Sequence, residues 1–224
     1  FQLRNLPSRS NTVSRDIMAT EYSEHIESQD KQPRTARGLK TKRKLLDAAA
    51  LEFGEKGFHE ASITGITQRA GTALGSFYTY FDSKDELFSA LVKDMSARVK
   101  SHAASAMTEW QGALEREKLA LEAFMNFARE HKEIYRIIDE SEFVDPASYR
   151  LHYEETAKRI HERLEEGSAA GDFRGPLEEA HAWAIMGMNV FLGLRYGIWS
   201  EEKSAEEIAE IANGILAKGI AAER

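Results

Sequence analysis

Residues 62–88 read SITGITQRAGTALGSFYTYFDSKDELF, and the spacing of their apolar and small side chains decides the fold. Ile63, Ile66 and Ala70 recur at the three-to-four interval of one helical face. Ser62 or Thr64 can accept the free amide hydrogens at the start of that helix. Gly71 follows where a helix ends on a left-handed residue, so the turn is tight. A second short helix is predicted over Leu74 to Phe81. At about 100° per residue, Phe77 and Phe81 share the buried face while Gly75 and Thr79 point outward. Leu74 and Tyr78 flank that outward face on one side, Ser76 and Tyr80 on the other. Asp82 or Ser83 can cap a third helix, with Asp85 and Glu86 favourably placed in its first turn. This is the pattern of a helix-turn-helix, the unit that lays a short helix in the major groove of DNA. Gly75 permits close backbone approach, Thr79 offers a methyl to thymine, and tyrosine hydroxyls reach phosphate oxygens. Lys84 is a cation where the helix dipole disfavours one, and is expected at a phosphate.

Upstream, Leu45, Leu46, Ala49, Ala50 and Phe53 predict a helix from about Leu39 to Lys56. Gly57 stops it, and Phe58 is placed to tuck under the next helix. From Lys31 to Leu46 there are seven basic residues, Lys42 among them, and no acidic one. Such a run can follow a phosphate backbone, or serve only as a solvated tail. Residues 1–37 are read as a disordered polar and basic arm, or in part as a non-native extension ahead of Met18. Residues 38–85 then form the helix-turn-helix domain and 86–224 a helical body.

Composition agrees once charge is located. The 224 residues carry a net charge of -7, which argues against a nucleic-acid partner. Yet residues 31–100 hold 13 basic against eight acidic side chains, and residues 101–224 hold 14 against 24. A basic module on an acidic body suits a protein that touches phosphates at one end. The absence of cysteine excludes disulfides, thiolate catalysis and Cys-based metal sites. No apolar run is long enough for a membrane span, and a cytoplasmic location is expected.

The run from about Lys40 to Met95 resembles the DNA-binding domain of TetR-family transcriptional regulators. The family pattern Gly-x-x-x-Gly-x-x-Tyr-x-x-Phe-x-x-Lys is formed here by Gly71, Gly75, Tyr78, Phe81 and Lys84. The resemblance implies an all-α homodimer with a three-helix DNA-binding domain and a larger C-terminal domain for effector binding and dimerisation. It implies a repressor released from a palindromic operator on double-stranded DNA by a small molecule. It also implies that Tyr78, Tyr80 and Lys84 touch phosphates, while Ala73 to Ser76 and Thr79 meet base edges. With Lys42, Thr64 and Thr72, these make up the candidate DNA contacts. Where relatives commonly carry Val-Ser, this chain has Thr72-Ala73, so the usual capping hydroxyl is missing and Thr72 is the replacement candidate. Leu74 predicts an apolar contact in the groove.

Downstream, a helix containing Leu87, Phe88, Leu91, Val92 and Met95 links this unit to the body. Further helices are predicted at about 109–130, 132–140, 147–169, 176–199 and 204–222, with Pro146 and Pro176 in first turns. The stretch Leu177 to Trp199 is apolar nearly all round and must be covered on more than one side. Gly187, Gly193 and Gly197 give it flat places for close helix approach. With Ile208, Ile211, Ile215 and Leu216, it predicts a dimer interface of two helices per subunit, about 176–199 and 204–222. Candidate effector contacts are Met125, Tyr135, Arg136, Phe143, His152, Tyr153, Trp183, Met186, Asn189 and Arg195. They suit an apolar or amphipathic molecule, with Arg136, His152 and Arg195 available to an anion or to structural ion pairs. No cofactor, metal or catalytic residue is expected. The seven histidines lack metal-ligand spacing, and no nucleophile elbow or dinucleotide fingerprint occurs. The alternatives are a helical dimeric interaction protein with a vestigial DNA-binding motif, or a small helical enzyme.

Overall fold

The computed structural model describes residues 31, 33, 35–107 and 112–220. The readings made for residues 1–30, 32 and 34, and for the ends of two expected helices at 109–111 and 221–222, lie outside them. Among the described residues every regular element is helical. These are α1 (Ala36–Glu60), α2 (Ile63–Ala70), α3 (Leu74–Phe77), α4 (Lys84–Ala106), α5 (Ala113–Glu130), α6 (Glu133–Val144), α7 (Pro146–Ala169), α8 (Glu179–Gly193) and α9 (Ala205–Gly219). A π-helical segment, Leu194–Trp199, continues α8. Helix α1 begins three residues earlier than predicted, because the Thr35 side chain accepts the Gly38 amide and caps it. Residues 36 and 37, expected in a disordered arm, are therefore helical.

Gly57 breaks α1 where expected, with φ 80° and ψ 167°. A residue with a Cβ would be strained there and would also meet the Arg136 guanidinium. Phe58 then folds under, stacking on Phe53 and edge-on to Phe88. One apolar cluster runs from Leu45 and Phe53 through Phe77, Phe81, Phe88 and Leu91 to Ile134, Ile137 and Ile138. The helix-turn-helix thus packs on α4 and α6 through a continuous core. Two smaller clusters fill the body: Ile160, Leu164, Phe173 and Ile185 between α7 and α8, and Leu121, Met125, Ile208 and Ala212 between α5 and α9.

Element ends follow the local chemistry. Asp145 accepts the Ser148 amide, so Pro146 occupies the first turn of α7 as predicted. Pro176 does not do the same for α8, which starts only at Glu179, where Glu178 and His181 form a capping box. Helix α6 runs to Val144, four residues beyond expectation. Arg129 donates to the Tyr196 and Lys203 carbonyls, which ties the π-helical segment to α5.

Buried Glu52 fixes α1 against α2. Its carboxylate accepts from Lys56 Nζ and from Arg69 Nε, each at 2.6 Å, while Arg69 also reaches Glu55. Burial opposes the charge on Glu52, but those two donors hold its carboxyl below the ordinary carboxylate range. Its stabilisation is therefore present above the unfolded-state pKa and is lost as pH falls through the lower folded one. Glu52→Gln is expected to cost about 2 kcal/mol at neutral pH, and the cost should shrink in acid. Urea titrations of both proteins at pH 7 and near pH 3 would check this; an equal difference at both pH values would contradict it.

Candidate DNA-binding and effector sites

The helix-turn-helix is shaped by its turns. Ser62 Oγ accepts the Gly65 amide and caps α2, so of the two candidate caps Thr64 is left as an exposed residue inside the helix. Gly71 takes φ 63° and ψ 39° and closes α2. The expected helix over Leu74 to Phe81 is shorter: one α-turn, Leu74–Phe77, then tight turns with Thr79 N–H to Ser76 O and Tyr80 N–H to Phe77 O. Ala73 offers no side-chain cap, and Gly, Ser, Thr and Tyr are weak helix formers. Thr72 does not replace the missing cap. Its hydroxyl is buried without a partner, and only its amide bonds back, to Thr67 O.

The faces divide as the spacing predicts. Phe77 and Phe81 are buried, whereas Ala73, Leu74, Gly75, Tyr78 and Thr79 are exposed and Ser76 and Tyr80 half-buried. Space outside Gly75 is open, with no atom within 4 Å of a Cβ placed there. Lys42, on α1, lies 5.6 Å from the Phe81 ring centre.

Lys84 departs from expectation. Its ammonium donates to Phe58 O at 2.7 Å, Ala61 O at 3.0 Å and His59 O at 3.2 Å, and it sits 4.5 Å from the Phe58 ring centre. An ammonium has three protons, so all are engaged by carbonyls at the end of α1 and none is left for a phosphate in this conformation. Ser83, rather than Asp82, caps α4 through the Glu86 amide.

The body encloses a cavity of about 190 Å³ between α4, α5, α6, α7 and α8. Of the ten candidate effector contacts it gathers five: Tyr135, His152, Tyr153, Met186 and Asn189. The other five are elsewhere. Met125 is wholly buried in the α5–α9 core. Arg136 points away from the cavity and donates to Gly54 O, Glu55 O and Glu140. Phe143 is 82% exposed. Trp183 lies on the outer surface, bonded to Glu179. Arg195 pairs with Glu202 over the Tyr196 ring.

In the cavity wall, burial drives His152 down to about 4, so its ring is neutral. The Ser96 hydroxyl gives its one proton to Val92 O at 2.8 Å. It therefore accepts from His152 Nδ1–H at 2.7 Å, which leaves Nε2 as an acceptor. Tyr135 donates to Val190 O, and burial raises its pKa. Tyr153 is pushed up to about 12 by burial and by nearby Tyr149, Asp139 and Glu142. Burial and Glu142 raise Asp139. Arg159, Arg163 and Lys100 also line the cavity and were not among the sequence candidates. An i, i+3, i+4 run of lining residues on α7, His152, Thr156, Arg159 and Arg163, was the available signal.

Because Lys84 satisfies three carbonyls, Lys84→Met is expected to lower the stability of the folded protein by about 2 kcal/mol. A thermal melt reads it. A melt unchanged from the parent would return Lys84 to the surface.

Residues 45–91 match the bacterial regulatory proteins of the tetR family. The HTH-type transcriptional regulator YdgC of Bacillus subtilis (strain 168) is 31% identical over 193 residues, which span 82% of this chain and 97% of that protein. FadR from Bacillus subtilis, solved in complex with stearoyl-CoA, has a TM-score of 0.70 at 17% identity, covering 79% of this chain and 98% of that one. AibR, solved with isovaleryl coenzyme A and operator DNA, has a TM-score of 0.63 at 16% identity, covering 78% and 97%. The two solved structures share the fold, and the relationship to YdgC extends over nearly the whole of that protein. With the helix-turn-helix and the helical body on the same chain, this sequence belongs to the TetR family of helix-turn-helix transcriptional regulators.

Proposed function

We propose that this regulator is a dimeric repressor, acting in the cytoplasm, that holds a palindromic operator and releases it when an apolar or amphipathic small molecule fills the cavity. The carrying observation is the double role of α6. Ile134, Tyr135, Ile138 and Asp139 line the cavity, while Arg136 and Glu140 of the same helix grip the end of α1. A molecule that shifts α6 therefore acts directly on the DNA-binding unit. Helix α4 supplies a second route, since its Ser96 holds His152 in the cavity wall and its Lys84 holds the end of α1. That FadR and AibR were solved with acyl-CoA thioesters supports a ligand carrying an apolar chain.

On DNA, the exposed face of Ala73, Leu74, Gly75 and Thr79 meets base edges, with half-buried Ser76 at its margin. Tyr78 and Tyr80 reach phosphates, Thr72 stays beneath the turn, and Lys42 and Thr64 flank the contact. Dimerisation through α8 and α9 is supported by apolar side chains that their own chain leaves uncovered: Phe191 and Trp199 at 70% exposure each, Ile215 at 61% and Ile211 at 54%. Gly187 and Gly214 stand open beside them. Gly193 and Gly197 do not join this surface, because they face Tyr135 with Phe124 and Ala128 respectively. Two heads held roughly 34–36 Å apart fit successive turns of one duplex face.

Selection from random duplexes should enrich a palindrome whose binding falls steeply with salt. No enriched palindrome would remove this reading. Tyr78→Phe should weaken all duplexes alike, whereas Leu74 and Thr79 substitutions should change the preferred sequence by about 1–3 kcal/mol per affected base pair. Arg136→Ala should bind the operator yet respond less to the molecule that releases it; unaltered release would exclude the α6 route.

A further inference from the structure

The cations expected to meet an anionic effector do not lie in the cavity. Arg136 and Arg195 are bonded elsewhere, and His152 is neutral there. Two arginines nevertheless line the cavity, and they differ. Arg163 is neutralised in place: Glu117, itself buried, accepts from its Nε at 2.5 Å and its Nη2 at 2.9 Å. Arg159 has no such partner. Its one hydrogen bond is from Nη2 to Thr156 Oγ1 at 2.9 Å, and among the described residues no carboxylate lies within ion-pair distance of it. Glu155 and Glu162 act on it only through space, and burial is the main influence on its charge, lowering its pKa from the usual arginine value without discharging it. A half-buried guanidinium with one neutral protein partner keeps most of its five donors available to a ligand.

The surroundings specify what that is. Arg159 lines the cavity as a half-buried residue of α7, and the exposed Lys100 and Ala104 of α4 line it as well. Apolar wall is supplied by Phe124, Ile138, Ile160, Met186 and Val190. The one carboxylate among the lining residues, Asp139 of α6, acts on Tyr153 of α7, which is six residues, or about 9 Å of helix rise, from Arg159. The cavity thus joins an apolar wall to an arginine that no carboxylate neutralises. At about 190 Å³ it is smaller than the roughly 300–1,000 Å³ of drug-sized sites.

From this we infer that the effector is a small carboxylate amphipath whose carboxylate is held by Arg159 while its apolar chain lies against the apolar wall of the cavity. This rests on the effector-responsive reading above and names the chemistry of its ligand. Arg159 is a specificity residue, because a planar fork pairs with a carboxylate through two parallel hydrogen bonds and offers an alcohol little. Arg163, locked by Glu117, shapes the wall without taking the ligand.

The test compares octanoate, octanol and octanoyl-CoA by calorimetry on the full chain, with operator release followed in the same samples. Octanoate should bind at least about tenfold tighter than octanol. Arg159→Met should weaken octanoate by about tenfold or more and octanol by less than about twofold, with Arg159→Lys retaining part of the preference. A thermal melt establishes that each variant is folded, and a misfolded Arg159→Met leaves Arg159→Lys and the three-ligand comparison as the measures. Equal binding of octanoate and octanol, binding of octanoyl-CoA alone, binding of none of the three, or an undiminished preference in Arg159→Met would overturn the inference. Release of the operator by octanol as readily as by octanoate would overturn it too, while leaving the repressor reading intact. Failure to select any duplex would instead remove the repressor reading, and octanoate binding would still measure Arg159.

Discussion

The break in α1 at Gly57 imposes the constraint that the rest of the structure satisfies. A helix that stops inside a packed domain leaves its last carbonyls, and the amides just beyond, without helical partners. Here that set spans Gly54 to Ala61, at the seam between the DNA-binding unit and the body. Three charged side chains from two other helices complete it. Arg136 supplies donors to Gly54 O and Glu55 O, Glu140 accepts the Phe58 amide at 2.7 Å, and Lys84 supplies donors to Phe58 O, His59 O and Ala61 O. Leaving a buried group of this kind unpaired costs about 1–3 kcal/mol, so the part-buried bonds from Phe58 N to Glu140 and from Lys84 to Phe58 O and Ala61 O tie the end of α1 to α6 and α4. The seam is polar, yet it is stiff.

That constraint explains which parts of the chain were legible in the sequence. Features set by neighbouring residues were readable: the Ser62 cap, the left-handed Gly71, the Phe77 and Phe81 anchors and the Pro146 start of α7 follow from spacing and local hydrogen bonding alone. Features set by distant partners were not. The sequence around Lys84 contains nothing to say that carbonyls some 25 residues earlier would take its protons. Arg136 and Arg195 look alike from the chain, each a cation within an apolar run, and both sit on outward faces that one-dimensional apolar counting does not separate from inward ones. The cavity's cations were hidden for the opposite reason: Arg159 and Arg163 lie in the charged stretch of α7 and read as a solvated face.

Helix α7 shows how a highly charged helix can line an apolar cavity. Its face of Ile160 and Leu164 packs into the core, its remote face carries Glu154, Glu155, Glu162 and Glu165 to solvent, and the arginines stand at the border. Long aliphatic stems allow this, since they cover apolar surface while the guanidinium stays in a polar place. Glu117 settles which arginine remains available. Two unpaired guanidiniums one helical turn apart would repel each other; pairing one of them removes most of that cost and leaves a single positive site.

The same logic separates sensing from holding in α6. Successive positions on a helix point about 100° apart, so Tyr135 and Asp139 face the cavity while Arg136 and Glu140, one residue further on in each case, face α1. A small rotation of this helix moves both sets together. The cavity contacts are mostly apolar and tolerate such movement, whereas the seam consists of hydrogen bonds whose strength falls steeply with distance and angle. Displacement at the soft side is therefore read as broken or shifted bonds at the stiff side, and the end of α1 is where the DNA-binding unit takes its orientation. Coupling between the two sites needs no long chain of intermediates, because a single helix width separates the cavity from the residues that hold the helix-turn-helix in place.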